Sequence, residues 1–70
     1  MFYDYHKLRQ RMHEKDIDEA ELASRIGISS TLMSLKLNNK ACFVQSEILG
    51  CMTVLDIDGE DVGEYFFTKK

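Results

Sequence analysis

An all-α fold is the class this sequence predicts, and three observations carry it. Apolar residues recur at helical spacing through most of the chain, and there is no proline to interrupt them. Asp4, Asp18, Ser29 and Asp58 stand where helix starts need a capping oxygen. Seventy residues make one domain, spanning 1–70, of about five short helices around one core. A core this small is marginal unless it packs well or the chain oligomerises.

The first helix is expected from the Asp4 cap to about residue 15. Tyr5, Leu8 and Met12 give it an apolar face, and Lys7, Arg9, Arg11 and Lys15 cover its polar side. Asp18 caps the second helix, and Glu21, three residues later, completes a capping-box spacing flanked by the apolar pair Ile17 and Leu22. Leu22, Ala23 and Ile26 form one stripe, and the small Ala23 permits a close helix crossing. Gly27 is the expected stop, because glycine takes positive φ without a Cβ penalty. Ser29 then caps a third helix over 30–37. Helix, short glycine turn and helix match a helix-turn-helix; an ordinary helical hairpin has the same spacing.

A fourth helix is expected over 45–55, with Ile48, Met52 and Leu55 as its core stripe and Cys51 alongside. Gly50 inside it costs about 1 kcal/mol against alanine. Val44 has no side-chain acceptor, so this helix start is expected to fray. Asp58 caps a short fifth helix with Val62, Tyr65 and Phe66 inward. Phe66 is assigned to the core; Phe67 either finishes the core or makes a dimer contact.

No apolar run reaches the roughly 18 residues of a membrane span, and no signal-peptide pattern is present, so the expected location is the cytosol. Cys42 and Cys51 have neither CxxC nor zinc-site spacing, and buried or half-buried free thiols are expected. His6 and His13 are expected in solvent, without the further ligands a metal site requires. There is no Gly-rich phosphate loop and no nucleophile elbow, so no catalytic residue, cofactor or metal is assigned and the chain is read as a non-enzyme. The carboxylates gather at helix starts, where capping and the helix dipole account for them.

Leu22-Ala23-x-x-Ile26-Gly27-Ile28-Ser29, then Met33-Ser34 and Leu37-Asn38-Asn39-Lys40, resembles the Cro/CI-type helix-turn-helix of small phage regulators. Tyr3-Asp4-Tyr5-x-Lys7-Leu8, Phe43 with Glu47 and Ile48, and Glu64-Tyr65-Phe66-Phe67 extend the resemblance over nearly the whole chain. It implies a lambda-repressor-like fold and a transcription regulator of a lytic/lysogenic switch in a bacterial host. Within that group the chain looks closest to the small modulator-of-repression (MOR) and Cro-like proteins. The family register implies that Met33 and Leu37 face the core, while Ser30, Thr31, Ser34 and Leu35 face DNA. It also implies a Thr at the position of Val44 and commonly a Gln at the position of Glu19.

Charge separates two kinds of partner. DNA affinity comes mostly from Lys and Arg neutralising phosphates. Residues 4–15 carry four basic and two acidic groups, residues 16–26 one and four, and residues 27–40 two and none. Residues 41–55 add Glu47, and residues 56–70 carry two basic and five acidic groups, giving a net charge of −3. No basic footprint of useful size results. None of the expected DNA-facing residues is an Arg, Lys, Asn or Gln able to read a base bidentately. Leu32, Met33, Leu35 and Leu37 fall within six residues, and one helix cannot bury all four against one core. Exposed apolar surface with a polar rim marks a protein contact; a shifted register, with Ile28, Leu32 and Leu35 inward, is the alternative.

Two functions follow. In the first, the chain is an antirepressor that binds a CI-type repressor and blocks its operator binding. Leu32 and Leu35, with Ser30, Thr31 and Ser34, dock on the repressor's DNA-binding domain, and Asp18, Glu19 and Glu21 meet its basic residues. In the second, it is a Cro-like dimer on operator DNA: Ser30, Thr31 and Ser34 read bases, and Lys36, Asn38, Asn39 and Lys40 hold the backbone. A hybrid that needs the repressor in order to sit on DNA is a third reading.

Overall fold

The computed structural model describes residues 2–70 and is all-helical. Its elements are α1 (His6–Glu14), α2 (Glu19–Ile26), α3 (Ser30–Leu37), α4 (Gln45–Leu55) and α5 (Val62–Phe66), the last preceded by a 3-10 turn, Gly59–Asp61. α2 packs on both α3 and α4, and α1 packs on α5. The α2–turn–α3 unit is compatible with a helix-turn-helix. One core gathers Leu8, Met12, Leu22, Ala23, Met33, Leu37, Cys51, Leu55 and Phe66.

The helix ends share one device. A left-handed residue follows α1, α2, α3 and α4: Asp16, Gly27, Asn39 and Asp56, with φ of 57°, 83°, 62° and 58°. In each case the next backbone N–H returns to a carbonyl five residues back: Ile17 to Met12, Ile28 to Ala23, Lys40 to Leu35, Ile57 to Met52, at 2.8–2.9 Å. This is the Schellman closure, which satisfies carbonyls that a helix end leaves orphaned. Ile17 and Ile57 are thereby turned into the core and Ile28 is half-buried. Arg11 adds to the closure of α4, donating from Nε to the Leu55 carbonyl (2.8 Å) and from Nη2 to that of Asp56 (2.9 Å).

The starts of α2 and α3 are capped as their sequences imply. Asp18 accepts from the Glu21 N–H at 2.8 Å, and Ser29 Oγ accepts from that of Leu32 at 3.0 Å. Asp4 accepts from the His6 N–H at 2.9 Å, but Tyr5 occupies the cap position, one residue later than expected. At α4 the expectation of fraying is corrected. Glu47 Oε1 accepts from the Val44 N–H at 3.0 Å, so the reciprocal half of a capping box holds the start without a capping side chain at 44.

Three further readings are adjusted. The centre of the buried α4 face is Cys51 and Leu55, with Ile48 and Met52 half-buried beside it. Cys42 is exposed rather than buried, because it lies in the irregular connection after α3. Burial and then the nearby Glu47 carboxylate push the Cys51 thiol up to about 12. Gly50 has a packing role: a Cβ there would lie 3.0 Å from Ile26 Cγ2, so its absence lets α4 approach α2.

The chain ends meet. Tyr3 and Lys69 form an antiparallel bridge, with Asp4 N–H on the Thr68 carbonyl at 2.7 Å. Phe66 is buried, as expected, and Phe67 is exposed with its ring edge-on to Tyr3 at 5.9 Å.

Gly27→Ala isolates the cost of a left-handed closure, since nothing lies within 4 Å of the added Cβ. The expected loss is about 1–2 kcal/mol of unfolding free energy, read by urea denaturation with an unchanged native circular dichroism spectrum.

Candidate functional site

The outer face of α3 follows from its register. Met33 and Leu37 are buried, as the core-facing assignment requires. Ser30 and Thr31 are exposed, Leu32 and Ser34 half-buried, and Leu35 is 39% exposed. The shifted register is therefore not adopted: Leu35 points away from the core.

Lys36 overturns an expectation. Proposed as a phosphate contact, it is only 4% exposed. Its ammonium donates to the Cys42 carbonyl at 2.6 Å, pairs with Glu47 Oε1 at 2.8 Å and sits 5.9 Å from the Phe43 ring centroid. A buried charge is tolerated only when paired and hydrogen-bonded, so Lys36 cannot leave for a phosphate without stranding Glu47. Partial burial by itself raises the Glu47 carboxyl. The hydrogen bonds from Lys36 and the Val44 backbone, with the Lys36 charge, outweigh it and hold the group below its ordinary value of 4.5.

Asn39 is also corrected as a DNA-backbone contact. Its Oδ1 accepts from the Tyr3 N–H at 2.8 Å and its Nδ2 donates to the Tyr3 carbonyl at 2.9 Å, so its amide is occupied in tying down the N-terminal segment. Asn38 is exposed, its Nδ2 donating to the Ser34 carbonyl at 2.8 Å, and Lys40 is exposed.

The acidic residues of α2 lie on the surface, but two are compensated. Glu19 pairs with Arg9 at 2.8 Å and Glu21 with Arg25 at 2.8 Å. Asp18 uses Oδ1 for its cap. Of the nine basic residues, six stand in ion pairs, leaving Lys40, Lys69 and Lys70 without one among the described residues. Exposed pairs exchange partners at a cost of about 0–1 kcal/mol, but the Lys36 pair is not exposed.

A family model described as "Protein of unknown function (DUF739)" matches residues 1–69. The chain belongs to the DUF739 family. No curated protein matches it. Among the described residues of this DUF739 chain, Asp58, Glu60 and Asp61 bring carboxylate oxygens within 4.8 Å of one another. Asp58 precedes the 3-10 turn and Glu60 and Asp61 belong to it, where acids complement a helix start. His6 and His13 are both exposed.

Glu47 was not singled out from sequence as a partner for Lys36. The signal was present: Met33, Lys36 and Leu37 stand at i, i+3 and i+4, so a lysine shares the buried face.

Glu47→Gln, which leaves Lys36 buried and uncompensated, is expected to destabilise the DUF739 fold by about 3 kcal/mol or more. Lys36→Met combined with Glu47→Gln removes both charges and should cost clearly less than the sum of the single changes, as a denaturation double-mutant cycle reads directly. Acid should act on the same pair. With the folded pKa below the unfolded one, stability from Glu47 is complete above about pH 4.5 and is lost as pH falls through the folded value. Glu47→Gln should flatten that part of the stability–pH curve.

Proposed function

We propose that the chain acts by binding a CI-type phage repressor at its DNA-binding domain and blocking operator binding, as an antirepressor or modulator of repression. The observation that carries this reading is the outer face of α3. It bears exposed Leu35 and half-buried Leu32 among Ser30, Thr31 and Ser34, while Lys36, on the buried face of the same helix, is locked to Glu47. Apolar surface rimmed by hydroxyls suits a protein contact. The same face has no side chain for bidentate base reading, and near it only Lys40 and Lys70, the latter beside Asn38 and Asn39, are free of an ion pair among the described residues.

The resemblance to Cro/CI-type regulators supplies the partner class. Asp18, Glu19 and Glu21 surround the start of α2 and offer a repressor's phosphate-binding residues an alternative anion. Arg9 and Arg25 would have to release Glu19 and Glu21, which is inexpensive at the surface. The bacterial cytosol is the compartment this reading requires; no helix among the described residues is long and apolar enough to cross a membrane. The Cro-like reading, direct operator binding, keeps Ser30, Thr31, Ser34, Asn38 and Lys40 but loses Lys36 and Asn39.

Binding to the operator region, with and without the neighbouring repressor, at low and physiological salt, separates the readings. The expected result is a stable protein complex that releases the repressor from DNA, with no operator binding by the chain alone. Tight, salt-sensitive binding of the chain alone contradicts it. Leu35→Asp is expected to leave the fold intact and weaken the repressor complex at least tenfold, the mark of a contact residue worth more than about 1.4 kcal/mol.

A further inference from the structure

Tyr3 and Lys69 face each other across a short antiparallel ribbon, and the bonds that hold it come from their neighbours. Asp4 N–H donates to the Thr68 carbonyl at 2.7 Å and Lys70 N–H to the Phe2 carbonyl at 3.2 Å. In a pair of this kind the N–H and C=O of the two facing residues point outward, one set to each edge. The two edges end differently. At Tyr3 the edge is closed: Asn39 Oδ1 accepts its N–H at 2.8 Å and Asn39 Nδ2 donates to its carbonyl at 2.9 Å. One side-chain amide thus stands where the backbone of a third strand would. At Lys69 the edge is open. Neither its N–H nor its carbonyl makes a hydrogen bond among the described residues, and the residue is exposed.

An open strand edge points to one ligand class, an extended polypeptide whose backbone continues the ladder. Charge chooses among polypeptides. Lys69 and Lys70 are both exposed and stand in no ion pair among the described residues. Their side chains leave opposite faces of the ribbon, because side chains alternate along a strand. An added strand therefore meets an unpaired ammonium on each face, and two consecutive acidic residues reach one each.

The same charges disfavour a second copy. Pairing through this edge about a two-fold axis would bring the lysines of the two copies together, and like charges opposite one another destabilise a ladder. A lysine on an edge is a device against such self-association; it is no obstacle to an acidic strand. A nucleic acid would use the ammonium groups and leave the Lys69 backbone unpaired.

We propose that the 68–70 edge takes an extended acidic segment of a partner protein as a third strand, its backbone paired with the Lys69 N–H and carbonyl and two consecutive carboxylates meeting Lys69 and Lys70. The edge is built by residues outside the α2–α3 outer face and stands or falls independently of the repressor reading.

The test titrates the peptide acetyl-Thr-Val-Glu-Glu-Val-Thr-amide into the ¹⁵N-labelled full chain, beside versions with Gln-Gln or Lys-Lys at the centre. The Glu-Glu peptide should shift the amides of residues 68–70 saturably and slow hydrogen exchange at the Lys69 amide. The Gln-Gln peptide should bind at least twofold more weakly, the worth of the charge pairs, and the Lys-Lys peptide should not bind. Lys69→Pro removes the outward N–H but neither ribbon bond, since those are donated by Asp4 and Lys70. It should weaken the Glu-Glu peptide by about 3–10-fold, with the Asp4 and Lys70 amides as protected as before. If Lys69→Pro opens the ribbon, exchange at Lys69 in the unaltered chain decides alone. Shifts without slowed exchange there overturn the proposal, since the peptide would then touch only the ammonium groups. Equal binding of the three peptides overturns it as well. So does a DNA duplex of arbitrary sequence that moves the same amides more strongly than the Glu-Glu peptide, or a concentration-dependent dimer that protects Lys69 without any peptide.

Discussion

The Lys36–Glu47 ion pair is the constraint on which the arrangement around α3 depends. Its 2.8 Å contact joins the last turn of α3 to the first turn of α4, with both side chains nearly out of water. Glu47 also holds the Val44 N–H, and Lys36 holds the Cys42 carbonyl, so the part of the connection next to α4 is fixed by the same two side chains. Neither charge can be withdrawn alone, because the desolvation already incurred would fall on the other. The pair therefore takes a cation away from the surface where a DNA reader would use it. The same lysine cannot both close the α3–α4 corner and neutralise a phosphate.

The rest of the scaffold is held by local chemistry repeated four times. Each of α1 to α4 ends on a left-handed residue followed by a backbone return, and three of those closures deliver an isoleucine toward the core. Only Gly27 takes this conformation without strain; Asp16, Asn39 and Asp56 are among the few side-chain types that tolerate it. Asn39 couples its closure to the chain terminus through two hydrogen bonds to Tyr3. Short helices that would be marginal alone are thereby tied into one core.

Much of this was legible in the residues. The caps at Asp18 and Ser29, the stop at Gly27 and the inward Met33 and Leu37 rest on local backbone chemistry and one period, which a sequence displays directly. Lys36 and Asn39 are different, because their partners, Glu47 and Tyr3, lie in other elements and no local pattern displays them. Val44 suggested a loose helix start when judged by its own side chain; the compensating oxygen belongs to Glu47. Exposure of Cys42 likewise depends on the path of an irregular connection, which has no periodicity to read. The exposed Leu35 was anticipated, but its meaning is a matter of partners and not of fold.

The proposed function rests on a helix pair compatible with a helix-turn-helix, with its α3 lysine locked inside and a leucine outside. Amide shift mapping of the ¹⁵N-labelled chain, with the repressor's DNA-binding domain and with the operator duplex in turn at physiological salt, tests this most directly. The account predicts that the repressor domain perturbs Ser30, Thr31, Leu32, Ser34 and Leu35 while the duplex leaves them unmoved. Saturable perturbation of those residues by the duplex, with none from the repressor domain, would contradict it.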